Sequence, residues 1–136
     1  MNYPEKVEIL TEGKSYAIGD VTLETPVRHK HPVETYGFIF RTSQYTISWL
    51  IDTGYFEDLP KYYKCDLLVI NTVMMEHKPM VEHLSLGEVG KVIKQIKPRI
   101  AIITHFGMSV WRAKPWELAK KLSDETGVSV ISALDG

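Results

Sequence analysis

The sequence predicts an α/β domain built on a mixed β-sheet, and two observations carry that prediction. As far as residue 51, apolar residues fall in short β-rich runs with turn residues between them. From residue 66 to 132 the period changes, and strand-like runs alternate with helix-like ones. The first pattern suits antiparallel strands joined by hairpins, the second parallel strands joined by helices that cover one face. A length of 136 residues with 44 % hydrophobic content is enough for one modest core, so residues 1–136 read as a single domain or one half of a larger one.

The elements follow in order. Residues 7–10 read as a strand, then a turn at Glu12-Gly13-Lys14, a strand at 16–18, the turn Gly19-Asp20 and a strand at 21–27, where Val21-Thr22-Leu23-Glu24-Thr25 alternates like a half-exposed surface. Two β-rich runs, 36–41 and 45–51, flank Thr42-Ser43-Gln44 and form a hairpin. Residues 67–71 and 100–104 are near-continuous apolar runs, as in strands covered on both faces. Between them lies a helix at 85–96, with Ser85 and Glu88 spaced as a capping box, Val89, Val92, Ile93 and Ile96 on one stripe, and Pro98 stopping it. A second helix at 115–125 has Pro115 in its first turn, Trp116, Leu118, Ala119 and Leu122 as its buried face, and Gly127 at its end, before a last strand at 128–132.

Composition excludes some functions. Sixteen basic and seventeen acidic residues give a net charge of −1, so charge gives no indication of a nucleic-acid partner or an anionic membrane. No run approaches the roughly 18 apolar residues of a membrane span, and the N-terminus has no signal core. The lone Cys65 precedes an apolar run and reads as a small core residue; with no disulfide available, a cytoplasmic setting is expected.

Chemistry-bearing residues gather at strand ends. Asp52 closes an apolar strand as Asp52-Thr53-Gly54, where its carboxylate can bridge two cations or simply cap its own turn. His105 closes another as Thr104-His105-Phe106-Gly107, at the kind of sheet edge where ligands collect. If the segment Arg28-His29-Lys30-His31-Pro32 is extended, its two imidazoles point the same way. His83, just before the capped helix, reads either as a loop histidine or as a proton donor over the site; His77 reads as structural.

Taken together, His31-Pro32-Val33-Glu34-Thr35-Tyr36-Gly37-Phe38, Ile51-Asp52-Thr53-Gly54, Cys65 to Asn71, His83-Leu84-Ser85 and Thr104-His105-Phe106-Gly107 resemble the metallo-β-lactamase superfamily. The closer likeness is to its ribonuclease Z and phosphodiesterase branch. The resemblance implies the second half of an αββα sandwich and a two-metal site that hydrolyses phosphodiesters or esters, usually with zinc and sometimes with manganese or iron. It implies His31, Asp52 and His105 as metal ligands, Asp52 being the bridge and so part of the catalytic apparatus, and His83 as the catalytic group that assists the leaving group. Nucleic acid is implied only as a substrate of the family.

One departure governs the expectations. The family's His-x-His-x-Asp-His cluster does not occur in these 136 residues. Three ligands are too few for two zinc ions, so the expectation is sub-stoichiometric metal and an inactive or partner-dependent hydrolase, or alternatively a non-catalytic binding or assembly module. The missing sheet would leave alternate residues between 38 and 51 bare, which predicts a homo-oligomer or a complementing N-terminal half. Asp52-Thr53-Gly54 also resembles the aspartic-protease signature, but those proteins are almost wholly β and carry a small residue where Tyr55 stands.

Overall fold

The computed structural model describes residues 6–135. Seven strands form one sheet in sequence order. Strands β1 (Lys14–Ile18), β2 (Val21–Thr25), β3 (Phe38–Arg41) and β4 (Thr46–Leu50) pair antiparallel. Strands β5 (Leu67–Asn71), β6 (Ile100–Thr104) and β7 (Ser129–Ser132) extend the sheet in parallel from β4. The change from antiparallel to parallel pairing at β4 is where the sequence period changes, and this arrangement removes the aspartic-protease reading.

Local chemistry explains the elements. Gly19, at φ 57°, allows the two-residue turn that pairs Ile18 with Val21. Thr42 closes the β3–β4 hairpin, its N–H donating to the Tyr45 carbonyl at 3.0 Å and its Oγ1 accepting from the Tyr45 N–H at 3.0 Å. Helix α2 (Leu86–Ile96) carries the capping box: the Glu88 N–H donates to Ser85 Oγ, and the Ser85 N–H to Glu88 Oε2 at 2.8 Å. Helix α4 (Pro115–Thr126) starts on Pro115 and ends at Gly127 in the left-handed conformation. Two short helices, α1 (Leu59–Tyr62) and α3 (Met108–Arg112), carry too little periodicity for the sequence to announce them.

Residues 7–10 are not a strand. The segment lies exposed, and a side chain rather than a strand partner ties it down: Tyr16 Oη accepts from the Thr11 N–H at 2.9 Å and donates to the Ile9 carbonyl at 3.2 Å. Trp116 also departs from expectation, remaining 49 % exposed because the first turn of α4 projects beyond the core that Leu118, Ala119 and Leu122 enter.

The two sheet faces differ sharply. Ile39, Leu50, Leu68, Ile70, Ala101, Ile103 and Val130 lie on one face and are buried under α2, which contributes Leu86, Val89, Val92 and Ile93, and α4. Each such fully buried Leu or Ile favours folding by about 1.5–3 kcal/mol over leaving it exposed. The opposite face presents Phe38, Ile47, Trp49, Leu67, Val69 and Ile102, with Trp49 and Ile100 each 42 % and Ile131 50 % exposed. Helices therefore cover one face, and the other is apolar and open. Among the described residues, no helix is long and apolar enough to cross a membrane.

Helix α2 offers a test with opposite signs at its two ends. Ser85→Ala removes the cap and is expected to lower unfolding free energy by about 1 kcal/mol. Lys97 ends the same helix at φ 53°, a left-handed conformation costly for a side-chain-bearing residue. Lys97→Gly is expected to raise stability by about 0.5–1 kcal/mol in urea denaturation, after the added chain entropy of glycine is counted.

Candidate metal centre

Parallel strands deliver their C-terminal ends to one edge of the sheet, which is where ligands collect in α/β folds. Asp52 follows β4, Asn71 ends β5 and His105 follows β6. Asn71 Nδ2 donates to Asp52 Oδ1 at 2.9 Å, and His105 Nε2 lies 3.4 Å from that same oxygen. His105 takes a left-handed backbone, φ 55°, a strained conformation of the kind that clusters at functional sites. Gly107 lets its loop lie against residue 73, since a Cβ there would sit 2.3 Å from the Val73 carbonyl oxygen.

His83 arrives from the connection between β5 and α2. An isolated parallel bridge joins Met74 to Ser85, with the Leu86 N–H donating to the Met74 carbonyl at 2.8 Å, and Leu84 is buried. The ring is thereby turned toward Asp52, its Nδ1 3.4 Å from Oδ1. That nitrogen is buried and has no hydrogen-bond partner among the described residues. A buried polar atom without a partner is costly, and its environment calls for a ligand.

His31 comes from the loop 28–36, closed by a bridge between Arg28 and Tyr36 and by the His29 N–H donating to the Thr35 carbonyl at 2.8 Å. Its ring lies 5.5 Å from that of His83, and the Thr35 hydroxyl is 3.3 Å from its Nδ1. His31, Asp52 and His83 each offer a ligand atom, all within 4.8 Å of one another. Two imidazoles and a carboxylate are suitable donors for zinc, manganese or iron, and three protein ligands leave an open position for water or substrate. The donor set and the unpartnered His83 nitrogen fit a metal ion.

All four residues singled out in the sequence, His31, Asp52, His83 and His105, thus meet around one carboxylate. His29 does not join them. The chain bends at residues 30–33 rather than running extended, so the two rings of His29 and His31 part. His29 is buried, its Nδ1 3.1 Å from the Asp52 carbonyl oxygen and its Nε2 2.6 Å from Tyr63 Oη. His77 stands outside, its Nδ1 3.1 Å from Glu88 Oε1. Sequence reasoning quoted Asn71 only within the run that carries the resemblance and assigned it no role, although it closes an apolar strand as Asp52 and His105 do.

Burial controls the two strongest shifts. Loss of hydration pushes His29 down to about 4, against a partly opposing attraction to Asp52, and pushes Tyr63 well above its usual range. Burial also raises the Cys65 thiol, which packs against the core and is not primed as a nucleophile.

Comparison with known proteins agrees with this architecture. Residues 2–106 match the family model described as a β-lactamase superfamily domain, and the chain belongs to that family. YhfI, a metallo-β-lactamase fold protein from Bacillus subtilis, matches with a TM-score of 0.82 and 18 % identity over 96 % of this chain and 54 % of its own. A diphosphatase of the PhnP family matches at 0.67 and 18 % over 93 % and 46 %, and human tRNase Z, short form, at 0.59 and 18 % over 88 % and 43 %. At these identities the likeness is one of fold. The chain spans about half the length of these three structures. No curated protein sequence matches it.

The buried His29 makes stability depend on pH with a definite sign. Its folded value of about 4 lies below the ordinary 6.5, so on acidification the unfolded chain takes up the proton first. In the metal-free protein this contribution is complete above about pH 6.5 and is lost as pH falls toward 4, by up to about 3 kcal/mol. Urea titrations across pH 4–7.5 should show the loss, and His29→Gln should show a correspondingly shallower slope over that window.

Proposed function

We propose that this chain forms part of a metal-dependent hydrolase centre for phosphodiester or ester bonds. The observation that carries the reading is convergence on Asp52: three histidines from three separate loops surround one carboxylate, and one of them buries a nitrogen with no other partner. A diphosphatase and a tRNase among the structural neighbours favour phosphate-containing compounds as the substrate class.

In this reading His31, Asp52 and His83 would hold one ion, and His105 is the nearest further donor, 3.4 Å from the same Asp52 oxygen that His83 approaches. The chemistry such an ion would supply there, held by these residues, is a lowered pKa of water and polarisation of the scissile ester. Asn71 fixes the Asp52 carboxylate by its hydrogen bond. His105, 57 % exposed and 3.4 Å from Asp52, is free either to bind a second ion or to hand a proton to a departing oxygen. The His31-Asp52-His105 ligand set with His83 as proton donor is the competing assignment of the same four residues. The geometry favours His83 as ligand because its Nδ1 is the atom left unpartnered.

Two-metal hydrolysis needs more donors than these, so full activity depends on a completing segment or chain. The ligand count also favours a second reading, a binding or assembly module that keeps the scaffold. Metal content separates them, because a scaffold alone has no reason to hold an ion: zinc, manganese or iron retained by the purified protein and lost in Asp52→Asn supports the hydrolase, as does any slow hydrolysis of bis(p-nitrophenyl) phosphate that disappears in that variant, and no retained metal supports the module.

Zinc titration by calorimetry should find no more than one tight equivalent per chain. His83→Ala should weaken it by at least about tenfold, a loss typical of damage to a metal's immediate surroundings, while His105→Ala changes it little. The reverse order would return His105 to the ligand set and His83 to proton donation.

The open sheet face supports a partner that covers it, a second copy of this chain or a complementing half. Sedimentation at micromolar concentration should show a dimer or larger species, and Trp49→Glu should shift it toward monomer. A stable, folded wild-type monomer would remove the second-copy reading.

A further inference from the structure

His29 lies two residues from His31 yet points away from the candidate metal centre, into a buried pocket under the turn that carries Asp52. Both of its ring nitrogens are engaged. Nδ1 faces the Asp52 carbonyl oxygen at 3.1 Å, and a carbonyl can only accept, so Nδ1 must carry the proton. Nε2 faces the Gly37 N–H at 3.1 Å, which can only donate, so Nε2 must be the bare nitrogen. Two independent partners thus require the same tautomer, and the Tyr63 hydroxyl, 2.6 Å from Nε2, completes it as a second donor.

The pocket is built for that ring. A Cβ at Gly37 would lie 2.5 Å from Tyr63 Oη and 2.8 Å from His29 Nε2, so only glycine permits this approach. Tyr63 is itself fully buried, anchored behind α1, and its ring meets that of His29 edge-on at 5.7 Å. The neighbouring backbone is tied to the same turn: the Gly54 N–H donates to the Lys30 carbonyl at 2.7 Å and the Lys30 N–H to Thr53 Oγ1 at 3.1 Å.

We propose that His29, held by Tyr63 and Gly37, is a positioning residue that orients Asp52 through its backbone carbonyl and so sets the distance between the Asp52 carboxylate and His31. The inference deepens the metal-centre reading and rests on it. With both ring nitrogens engaged, His29 acts through the backbone bond it makes, which fixes the peptide on which the Asp52 side chain stands. A hydrogen bond that fixes a ligand's orientation has its effect on metal affinity and coordination geometry, with overall fold retained.

Two measurements test it. In the metal-free, ¹⁵N-labelled chain at pH 7, imidazole nitrogen shifts should place the His29 proton on Nδ1; a proton on Nε2 would overturn the proposal without reference to any metal. Cobalt(II) titration followed by visible absorption then reads the site itself. An asparagine amide can occupy the place of Nδ1 and a glutamine amide the place of Nε2. His29→Asn, keeping the donor to Asp52, should therefore retain the wild-type cobalt affinity and band position, whereas His29→Gln should bind about tenfold or more weakly with a shifted band. Circular dichroism of both variants checks that each remains folded. Equal cobalt binding by wild type and His29→Gln would overturn the positioning role alone. Parallel losses in both variants that follow their losses of stability would reduce His29 to a packing residue. Absence of cobalt binding by the wild type would remove the metal-centre reading, and this role with it.

Discussion

The contact between residues 29–31 and the turn 52–54 is the constraint on which the candidate centre depends. Asp52 and His31 are brought together from segments 21 residues apart, and neither belongs to a regular element. What holds them is a short lattice of hydrogen bonds: His29 to the Asp52 carbonyl, Lys30 to Thr53 and Gly54 to Lys30. All three involve backbone groups that would be expensive to bury unpaired, so the two loops cannot separate without exposing or orphaning them. Thr53, almost fully buried, both accepts from Lys30 and donates to the Gly54 carbonyl, which fixes the turn from within.

The sheet supplies the rest of the geometry. Parallel pairing of β4, β5 and β6 places Asp52, Asn71 and His105 at neighbouring strand ends, a spacing set by strand separation rather than by loop choice. His83 comes from the longer β5–α2 connection, and the Met74–Ser85 bridge with the capping box at Ser85 anchors it on a rigid helix start. The left-handed His105 and the close approach of Gly107 to Val73 show the β6–α3 turn bent toward the same point. Backbone strain at one ligand-like residue is sustained because the surrounding core, with Ile103 and Val110 fully buried, over-determines the turn.

The two faces of the sheet are covered unequally. Helices α2 and α4 close one face, while Trp49, Ile100 and Ile131 on the other remain half in water. In layered folds an apolar sheet face of this kind is the surface that a further layer or a partner covers. The structures that share this fold are about twice as long.

The sequence by itself determined the elements whose signal is local. Periodicity and caps located β5, α2, β6 and α4 almost to the residue, because Ser85, Glu88, Pro115 and Gly127 act within one helical turn and the apolar runs act within one strand. It also marked Asp52 and His105, because strand ends in a parallel sheet fall on one edge whatever the loops do. It misplaced residues 7–10, an exposed segment tied down at Ile9 by the Tyr16 side chain, and it gave Asn71 no role of its own, since that role exists only once β4 and β5 are paired. The fates of His29 and His31 were decided by tertiary structure alone. Alternation treats them as equivalent, but the bend at residues 30–33 sends one ring to Tyr63 and the other toward His83. That choice depends on a buried partner 34 residues away, and no local rule carries information over such a distance.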